Sequence, residues 1–460
     1  MATWERAYTQ ALLHPVKSLA VVFWAWKLIL FLTVSLSPGP GYDTCATLLP
    51  LREPDTSDSA TRFGHSGLPS ILLRFVRWDS IYFLRVAERG YLFEQEWAWG
   101  YGYTKLLSIL TSVFHRTDEM GGAAKIAVVG VGLSHFTHFL SVLALYGLTK
   151  KAFGTEKISE KAFCFLSALL HIITPAGAFL SAPYAEAPFS LLNFAGFYLY
   201  ASALHNDRPG KSALRDAQLL LAASSFATAT TVRSNGIISG SLFAYDCVVL
   251  LFQILSRGVS VDAVHRLIIT ILGGIIIALG MILPQYVAYT SYCATETLTR
   301  PWCQRLIPSI YTWVQSEYWN VGFLRYWTLS NLPLFCLAAP MLAILMLSSV
   351  WSFKTFARAT EKGLANGGNS HQENIKQKVL LRLAIPQALL AVAALTSYHV
   401  QIINRISSGY PLWYWYIVAH VLEAYRSPKS GSRKYTAIVR GMVVYALTQA
   451  VLFGSFLPPA

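Results

Sequence analysis

Long apolar runs recur along this chain, and their length constrains its fold more than any other feature. Runs near or above the roughly 18 to 20 residues that cross a hydrocarbon layer alternate with mostly short polar segments. A segment in lipid must satisfy its own backbone hydrogen bonds, and the alternating pattern of a barrel strand is absent, so the runs predict α-helices. We count about eleven spans. The first, from Leu19 to Leu36, is typical of a retained anchor rather than of a cleaved signal peptide. The sequence thus predicts an all-α polytopic membrane protein with a single domain over residues 1–460.

The composition agrees with lipid as the main solvent. Of 460 residues, 54% are hydrophobic and 13% are charged, against about 25% charged in an average soluble domain. The net charge of +14 does not indicate nucleic acid as a partner, because the basic residues concentrate in alternate loops, a distribution that membrane orientation explains. The chain also lacks a Walker loop, a dinucleotide glycine fingerprint, a metalloprotease His-Glu motif and an inverted repeat.

The distribution of lysine and arginine predicts the orientation. Cytosolic loops are enriched in these residues, and 21 of the 37 fall in segments 1–17, 150–161, 205–215, 257–266, 353–382 and 425–435. The amino terminus is therefore predicted to be cytosolic and the carboxyl terminus lumenal. A cytosolic loop covers 353–382, and two long lumenal loops cover 37–121 and 291–330. In the first lumenal loop, apolar residues at helical spacing between Pro69 and Arg89 predict a helix in the membrane interface.

Unusual polar residues fall at or near the predicted lumenal ends of the spans. They are Trp78-Asp79, Tyr184-Ala185-Glu186, Arg233-Ser234-Asn235, Trp319-Asn320 and the stretch from His399 to Arg405. A polar group near lipid is costly unless it is paired or faces water. Several such groups on one side of the membrane predict a shared lumenal cavity.

Three charged residues in this set have side chains suited to catalysis or binding. Asp79 can accept the proton of a sugar hydroxyl while the indole of Trp78 stacks on the ring, and a solvated surface acid is the alternative. Glu186 follows a proline at a helix start, where a carboxylate also favours the helix dipole without any catalytic role. Arg233 has the planar fork that grasps phosphate, and a contact to a lipid headgroup is its alternative.

One pair of cysteines is spaced so that a disulfide is possible, and one pair of histidines is spaced so that both could bind a metal. Cys293 and Cys303 share a polar lumenal loop, where an oxidising lumen permits a disulfide, and two free thiols are the alternative. His135 and His138 lie three residues apart within a span, but no third ligand is in view. Core hydrogen bonding is therefore the favoured interpretation of the histidines, and we expect no metal site.

A series of short motifs resembles the GPI mannosyltransferase 2 family. The motifs include Arg77-Trp78-Asp79-Ser80, Tyr184-Ala185-Glu186-Ala187, Val232-Arg233-Ser234-Asn235-Gly236, Pro301-Trp302-Cys303, Tyr318-Trp319-Asn320-Val321 and His399-Val400-Gln401. Each motif is weak alone, but the series runs in matching order over nearly the whole chain. One segment departs from the family pattern, because relatives often have Phe-Phe-Pro where this chain has the stretch from Trp97 to Tyr103. Acceptor contacts in that segment are left open.

The resemblance implies a GT-C type glycosyltransferase in the endoplasmic reticulum membrane that adds the second mannose of the GPI anchor precursor. Its donor would be dolichyl phosphate mannose, its acceptor a mono-mannosylated GPI lipid, and the new linkage α-1,6. No cofactor is expected, and a small membrane-protein partner is left open. The catalytic residues of the family would fall on Trp78, Asp79 and Glu186. Contacts to the donor phosphate and the substrates would fall on Arg233, Asn235, Trp319, Asn320, His399, Gln401 and Arg405.

A β-linked phosphate donor and an α-mannoside product require inversion in a single in-line displacement. In this reaction Asp79 deprotonates or orients the acceptor hydroxyl, Arg233 offsets charge on the departing phosphate, and Glu186 positions acceptor hydroxyls. Two alternatives stay open: another dolichol-dependent mannosyltransferase, and a polytopic transporter or lipid carrier. Against a transporter, the polar residues cluster at one face, whereas alternating access places a site near the midplane.

Overall fold

The chain is helical throughout the part that the structure describes. The structure is a computed structural model, and it describes residues 9–38, 71–113, 122–208, 210–294, 300–365, 371–426 and 432–457. Within these ranges no β-strand occurs. The α-helices are α1 (Pro15–Leu36), α2 (Asp79–Arg89), α3 (Tyr101–Val113), α4 (Gly122–Phe153), α5 (Ile158–Ile172), α6 (Glu186–His205), α7 (Ser212–Val232), α8 (Ser241–Arg257), α9 (Val261–Tyr292), α10 (Ile310–Glu317), α11 (Leu332–Ala365), α12 (His371–Thr396), α13 (Ile403–Ile406), α14 (Leu412–Arg426) and α15 (Ser432–Gly454). Short 3₁₀ segments cover Leu73–Phe75, Glu94–Ala98, Gly177–Leu180, Ser234–Gly240, Pro301–Gln304, Leu329–Asn331, Val400–Ile402 and Ser407–Gly409.

Seven stretches of the described chain are long and apolar enough to cross a membrane. They are Pro15–Leu36, Gly122–Phe153, Ser234–Arg257, Val261–Tyr292, Leu329–Glu361, His371–Thr396 and Lys434–Gly454. The predicted class, an all-α multi-pass membrane protein, is therefore confirmed. Helices α5, α6, α7 and α14 belong to the same bundle but are not among these seven. The number of spans, about eleven, stays a prediction.

The bundle is built from helices that pack in succession. Helix α4 packs against α6, α6 against α7, and α7 against α9, while α11 and α12 form a second close pair. Glycine permits some of these close approaches. A Cβ atom at Gly280 of α9 would overlap the carbonyl oxygen of Ala227 on α7, so only glycine allows these two backbones to meet. This contact lies beside the cavity described below.

The predicted loops contain more helix than the sequence suggested. In 37–121, residues 39–70 and 114–121 lie outside the described residues, and so does Pro69, the predicted start of the interfacial helix. The described part contains α2, which begins at Asp79 and buries one apolar face that includes Phe83 and Val86. Within 353–382, α11 continues to Ala365 and α12 begins at His371, so most of this range is helical. The membrane side of each loop stays a prediction.

Candidate active site

A cavity of about 620 Å³ opens at the end of the bundle where α6 begins and α7 ends. Its walls come from the start of α2, the segment 97–101, the turn 230–237, the middle of α9 with α10, and the segment 398–406. Eight of the site residues predicted from the sequence line it: Trp78, Asp79, Arg233, Asn235, Trp319, His399, Gln401 and Arg405. Glu186 and Asn320 are not part of the lining. The structure therefore brings most of the predicted residues into one cavity.

The start of α2 delivers Trp78 and Asp79 to this cavity. Trp78 has a φ of +54°, a conformation that side chains other than glycine rarely adopt and that tends to be kept at functional sites. Helix α2 then begins at Asp79, whose carboxylate lies in the first turn, where the helix dipole favours negative charge. The ring of Trp78 packs on that of Phe456, with centroids 5.1 Å apart. The turn at Trp78 thus presents an indole and a carboxylate from adjacent positions.

Four charged side chains form a continuous network next to the cavity. Arg405 Nη2 donates to Asp79 Oδ2 at 2.8 Å and to Glu186 Oε1 at 2.7 Å. Arg405 Nε donates to the same Glu186 oxygen at 2.9 Å. Arg233 Nη1 lies 2.7 Å from that oxygen. We call Asp79, Arg405, Glu186 and Arg233 the ion network, and its two positive and two negative charges balance.

Arg405 is the centre of the ion network, and its surroundings keep it charged. Burial by itself lowers the pKa of its guanidinium, but the Glu186 and Asp79 carboxylates outweigh burial and hold that pKa above its ordinary value. The guanidinium also lies over the rings of Phe179 and Tyr184, at 4.3 and 5.0 Å from their centroids. Such cation–π contacts favour the charged form and fix the plane of the group.

Glu186 lies behind the cavity rather than in it. Its side chain is 0% exposed, and its Oε1 is the acceptor shared by both arginines. A buried carboxylate must be compensated by charge, and the two arginines supply that charge. Its Oε2 has no hydrogen-bond partner among the described residues, and the predicted contact of Glu186 with acceptor hydroxyls stays a prediction. The helix-start interpretation fits its place as the first residue of α6. The geometry makes Glu186 the residue that holds Arg233 and Arg405.

Arg233 reaches the cavity from a tight turn at the end of α7. Gly236 makes the turn tight, because a Cβ there would lie 2.6 Å from the backbone nitrogen of Thr230. Arg233 Nε donates to Asn235 Oδ1 at 3.4 Å, and Glu186 holds the opposite edge of the guanidinium. The guanidinium is thus oriented by two partners while it also lines the cavity. This is the arrangement that a planar grip on phosphate requires.

A neutral hydroxyl pair lies beside Arg233. The hydroxyls of Ser234 and Tyr311 are 2.6 Å apart, and the backbone nitrogen of Tyr311 donates to Gln285 Oε1 at 3.0 Å. Burial raises the pKa of Tyr311 against the opposing effects of its bond to Ser234 and the charge of Arg233. Tyr311 therefore stays a protonated donor at neutral pH. Sequence reasoning missed Tyr311 and Gln285, since neither belongs to a charged or motif-forming group.

Trp319, His399 and Gln401 form another part of the cavity lining. His399 Nε2 donates to the Trp319 carbonyl oxygen at 2.8 Å, and its ring stacks on Tyr326 at 4.7 Å. The Tyr326 hydroxyl donates to Gln401 Oε1 at 3.1 Å. Asn320 differs from its neighbour, because its φ is +49° and its side chain is exposed outside the lining. A substrate contact from Asn320 stays a prediction.

The segment that departs from the family pattern supplies an aromatic wall. Trp97, Trp99 and Tyr101 line the cavity. Gly100 lets this segment lie against the end of α7, because a Cβ there would overlap the carbonyl oxygen of Val232. Sequence reasoning did not assign these residues to the site. The available signal was the alternation of aromatic residues and glycine over 97–103.

The disulfide loop is fastened to the aromatic wall. Cys293 and Cys303 are bonded, with Cα atoms 5.7 Å apart. Next to Cys303, the buried Trp302 donates its indole N–H to Glu94 Oε1 at 3.0 Å. Glu94 begins the 3₁₀ segment that carries Trp97. The loop thereby braces the wall from outside the cavity.

The two histidines of the fourth helix hydrogen-bond within the core. His135 Nδ1 lies 2.8 Å from the carbonyl oxygen of Val131, one turn earlier on α4. His138 Nε2 lies 3.4 Å from the carbonyl oxygen of His171 on α5. Within the part of the chain that the structure describes, no group of three His, Cys, Asp or Glu side chains is arranged to hold a metal ion. The two ring nitrogens thus hydrogen-bond to separate backbone carbonyl groups, and the rings pack on Trp24 and Phe23 of α1.

Comparison with known proteins identifies the family. The mannosyltransferase (PIG-V) family matches residues 16–460. Relatives named GPI mannosyltransferase 2 are 51% identical in Aspergillus oryzae, over 97% of this chain and 96% of that protein, and 49% identical in Aspergillus fumigatus, over 97% and 94%. The relative in Chaetomium globosum is 40% identical over 97% of each chain. An oligosaccharyltransferase structure from Archaeoglobus fulgidus matches 95% of this chain and 55% of its own at 11% identity, with a TM-score of 0.47. These matches do not favour the transporter alternative. The chain belongs to the PIG-V family of mannosyltransferases.

Proposed function

We propose that this protein transfers the second mannose of the GPI anchor precursor, in an α-1,6 linkage, from dolichyl phosphate mannose to a mono-mannosylated GPI lipid. The family and the name shared by its relatives support the reaction class and the acceptor class. The single observation that carries the mechanism is that Asp79 and Arg233 line one cavity and are joined through Arg405 and Glu186. A base and a phosphate grip are thus held in one frame.

The donor phosphate binds at Arg233 in this proposal. Its guanidinium lines the cavity and is oriented by Glu186 and Asn235. The hydroxyls of Ser234 and Tyr311 lie next to it, and because one proton is shared within the pair, the other proton is the one that donates to a further phosphate oxygen. A preorganised set of donors stabilises the charge that develops on the departing dolichyl phosphate. Stabilising the departing phosphate in this way requires no group that gains or loses a proton.

Asp79 receives the acceptor in this proposal. Its Oδ2 is occupied by Arg405, and the same carboxylate lines the cavity, so Oδ1 is the atom that accepts from the acceptor hydroxyl. The acceptor oxygen attacks C1 of mannose, the bond from C1 to the phosphate oxygen breaks, and the hydroxyl proton passes to Asp79. The electron pair of the broken bond leaves with dolichyl phosphate. One displacement inverts the configuration from β to α.

Three tryptophan side chains of the cavity bind the sugars in this proposal. Trp78, Trp99 and Trp319 line the cavity, and their buried indole N–H groups have no hydrogen-bond partner among the described residues. A buried donor without a partner is costly, so a ligand that supplies acceptors is favoured. Sugar hydroxyls supply them, while the ring faces of the same side chains cover the apolar C–H faces of the sugar.

The setting of the reaction is also part of the proposal. The protein acts in the endoplasmic reticulum membrane, with its amino terminus cytosolic, its carboxyl terminus and cavity lumenal, and without a cofactor. The alternation of lysine and arginine between loops supports the orientation. Co-purification from native membranes tests for a small membrane-protein partner.

The variant Asp79→Asn tests the mechanism. The amide keeps the size of the carboxylate but cannot act as a base near neutral pH, so transfer should fall by about a hundredfold to ten-thousandfold. The assay measures conversion of mono-mannosylated to di-mannosylated GPI lipid in membranes supplied with labelled dolichyl phosphate mannose.

A matched control is Glu88→Gln on the same helix, whose carboxylate pairs with Arg85 at the surface. This variant should transfer mannose at the parental rate. If Asp79→Asn, present at parental abundance, also keeps the parental rate, Asp79 is not the base and the solvated-surface interpretation replaces it.

A further inference from the structure

A second cavity of about 320 Å³ lies between α8 and α9. Its lining is apolar apart from Thr270, whose hydroxyl donates to the carbonyl oxygen of Arg266 on its own helix. Small residues create the space, with Gly240 and Ala244 on one side and Gly274 and Ala278 on the other. Each pair is spaced by four residues, which places both members on one helical face. We call this cavity the α8–α9 groove.

The α8–α9 groove adjoins the active-site cavity. Ile237 lines both. It lies in the 3₁₀ segment Ser234–Gly240, which begins immediately after Arg233 and ends at the first small residue of the groove. One short segment therefore leads from the proposed phosphate position into the groove.

The groove faces the outside of the bundle. The stretches Ser234–Arg257 and Val261–Tyr292 are the least buried of the seven candidate spans. Ile237 and Ile271 in the lining are 41% and 46% exposed. In a membrane protein such an apolar surface contacts lipid chains, so a molecule in the bilayer can enter the groove from the side.

We propose that the α8–α9 groove binds the isoprenoid units nearest the phosphate of the polyprenyl donor, an inference that rests on the proposed function. A polyprenyl chain has no polar atoms, and the groove lining is apolar apart from Thr270, whose hydroxyl is already hydrogen-bonded. In the donor this chain is bonded directly to the phosphate, and the groove begins directly beside Arg233. In the acceptor, sugars separate the reacting hydroxyl from the acyl chains, so its lipid cannot begin at this point.

The variant Gly274→Leu fills the groove. No atom lies within 4 Å of the position that a Cβ would take at Gly274, so the larger side chain enters open space. Gly274 lines the groove and not the active-site cavity, and it lies six residues, or about 9 Å at 1.5 Å per residue, before Gly280, which lines that cavity. Gly441→Leu on α15 is the matched control, because a Cβ there also meets nothing within 4 Å.

The kinetic test uses membranes with each variant, titrated with full-length dolichyl phosphate mannose. Gly274→Leu should raise the donor KM about tenfold, the effect of losing burial of roughly two methylene-sized groups. The acceptor KM and kcat should stay parental, and Gly441→Leu should change neither KM. An unchanged donor KM in Gly274→Leu, or a raised acceptor KM in its place, overturns the proposal while the mannosyltransferase activity of the parental protein stands.

A labelling test covers the case in which Gly274→Leu does not fold. A donor with a photoreactive diazirine on its second isoprene unit is irradiated with the parental protein, and labelled peptides are mapped by mass spectrometry. Label within α8 or α9 is expected. Label confined to other helices overturns the groove assignment, and it does so whether or not the lipid turns out to be the mannose donor.

Discussion

Replacing Glu186 with glutamine removes the charge that holds Arg233 and Arg405 while it keeps the size of the side chain. Glu186 Oε1 takes part in three contacts to guanidinium nitrogens, at 2.7, 2.9 and 2.7 Å. A hydrogen bond to a charged acceptor contributes about 1.5 to 3 kcal/mol and a neutral one about 0.5 to 1.5. Losing about 1 kcal/mol at each contact gives a destabilisation of about 3 kcal/mol. This agrees with the roughly 3 to 5 kcal/mol found when one partner of a buried ion pair is removed.

The same loss should appear in catalysis. Without the shared carboxylate, Arg233 and Arg405 repel each other and leave the positions that orient the phosphate and Asp79. If about 3 kcal/mol of this positioning is lost in the transition state, transfer falls by about a hundredfold. Thermal unfolding in detergent measures the stability, and the transfer assay with labelled donor measures the rate per folded protein. The surface variant Glu88→Gln provides the reference, because an exposed pair contributes only about 0 to 1 kcal/mol. A Glu186→Gln protein with parental melting temperature and parental rate would refute the assignment of Glu186 as the residue that holds the arginines.

Four further outcomes are expected. Arg233→Lys should lower transfer although it keeps the charge, since an ammonium cannot reproduce the planar two-point grip; a parental rate in the transfer assay would contradict this role. Cys293 and Cys303 should be recovered as a disulfide peptide from non-reduced native membranes, and recovery of both as alkylatable thiols would exclude the bond. A glycosylation tag fused to Ala460 should be glycosylated in cells and one at Gly367 should not, with the reverse result inverting the orientation. Treatment with EDTA followed by gel filtration should leave transfer unchanged, and recovery of lost activity by added divalent cation would show that a metal takes part.

The fold class was accessible from the sequence because the bilayer leaves few solutions for a backbone. Apolar runs long enough to cross lipid must be helices, and the structure has seven such stretches within its described ranges. The extent of α11 was not accessible in the same way. It continues to Ala365 through a basic stretch whose low hydropathy predicts a loop. A helix can continue beyond its apolar part because helix propensity does not depend on hydropathy.

The convergence of the site was accessible for a similar reason. Orientation placed Asp79, Arg233 and Arg405 at one end of the bundle, and the structure brings all three to the lining of one cavity. Their pairing was not accessible, because Arg405 is separated by 326 residues from Asp79 and by 219 from Glu186. Local patterns carry no information on contacts at such separations. For this reason the two arginine partners of Glu186 were not predicted.

The ion network has a consequence for how this protein evolves. Because two acids and two bases compensate one another in a buried setting, loss of any one of them leaves an uncompensated charge, which costs far more than the net contribution of an intact pair. A single substitution at Glu186 or Arg405 is therefore expected to be strongly deleterious. These positions can change only if a partner residue changes as well. In a lineage whose enzyme lacks Arg405, the residues at positions 79 and 186 are expected to have changed as well. The four positions should behave as one inherited unit, although they come from four distant parts of the chain.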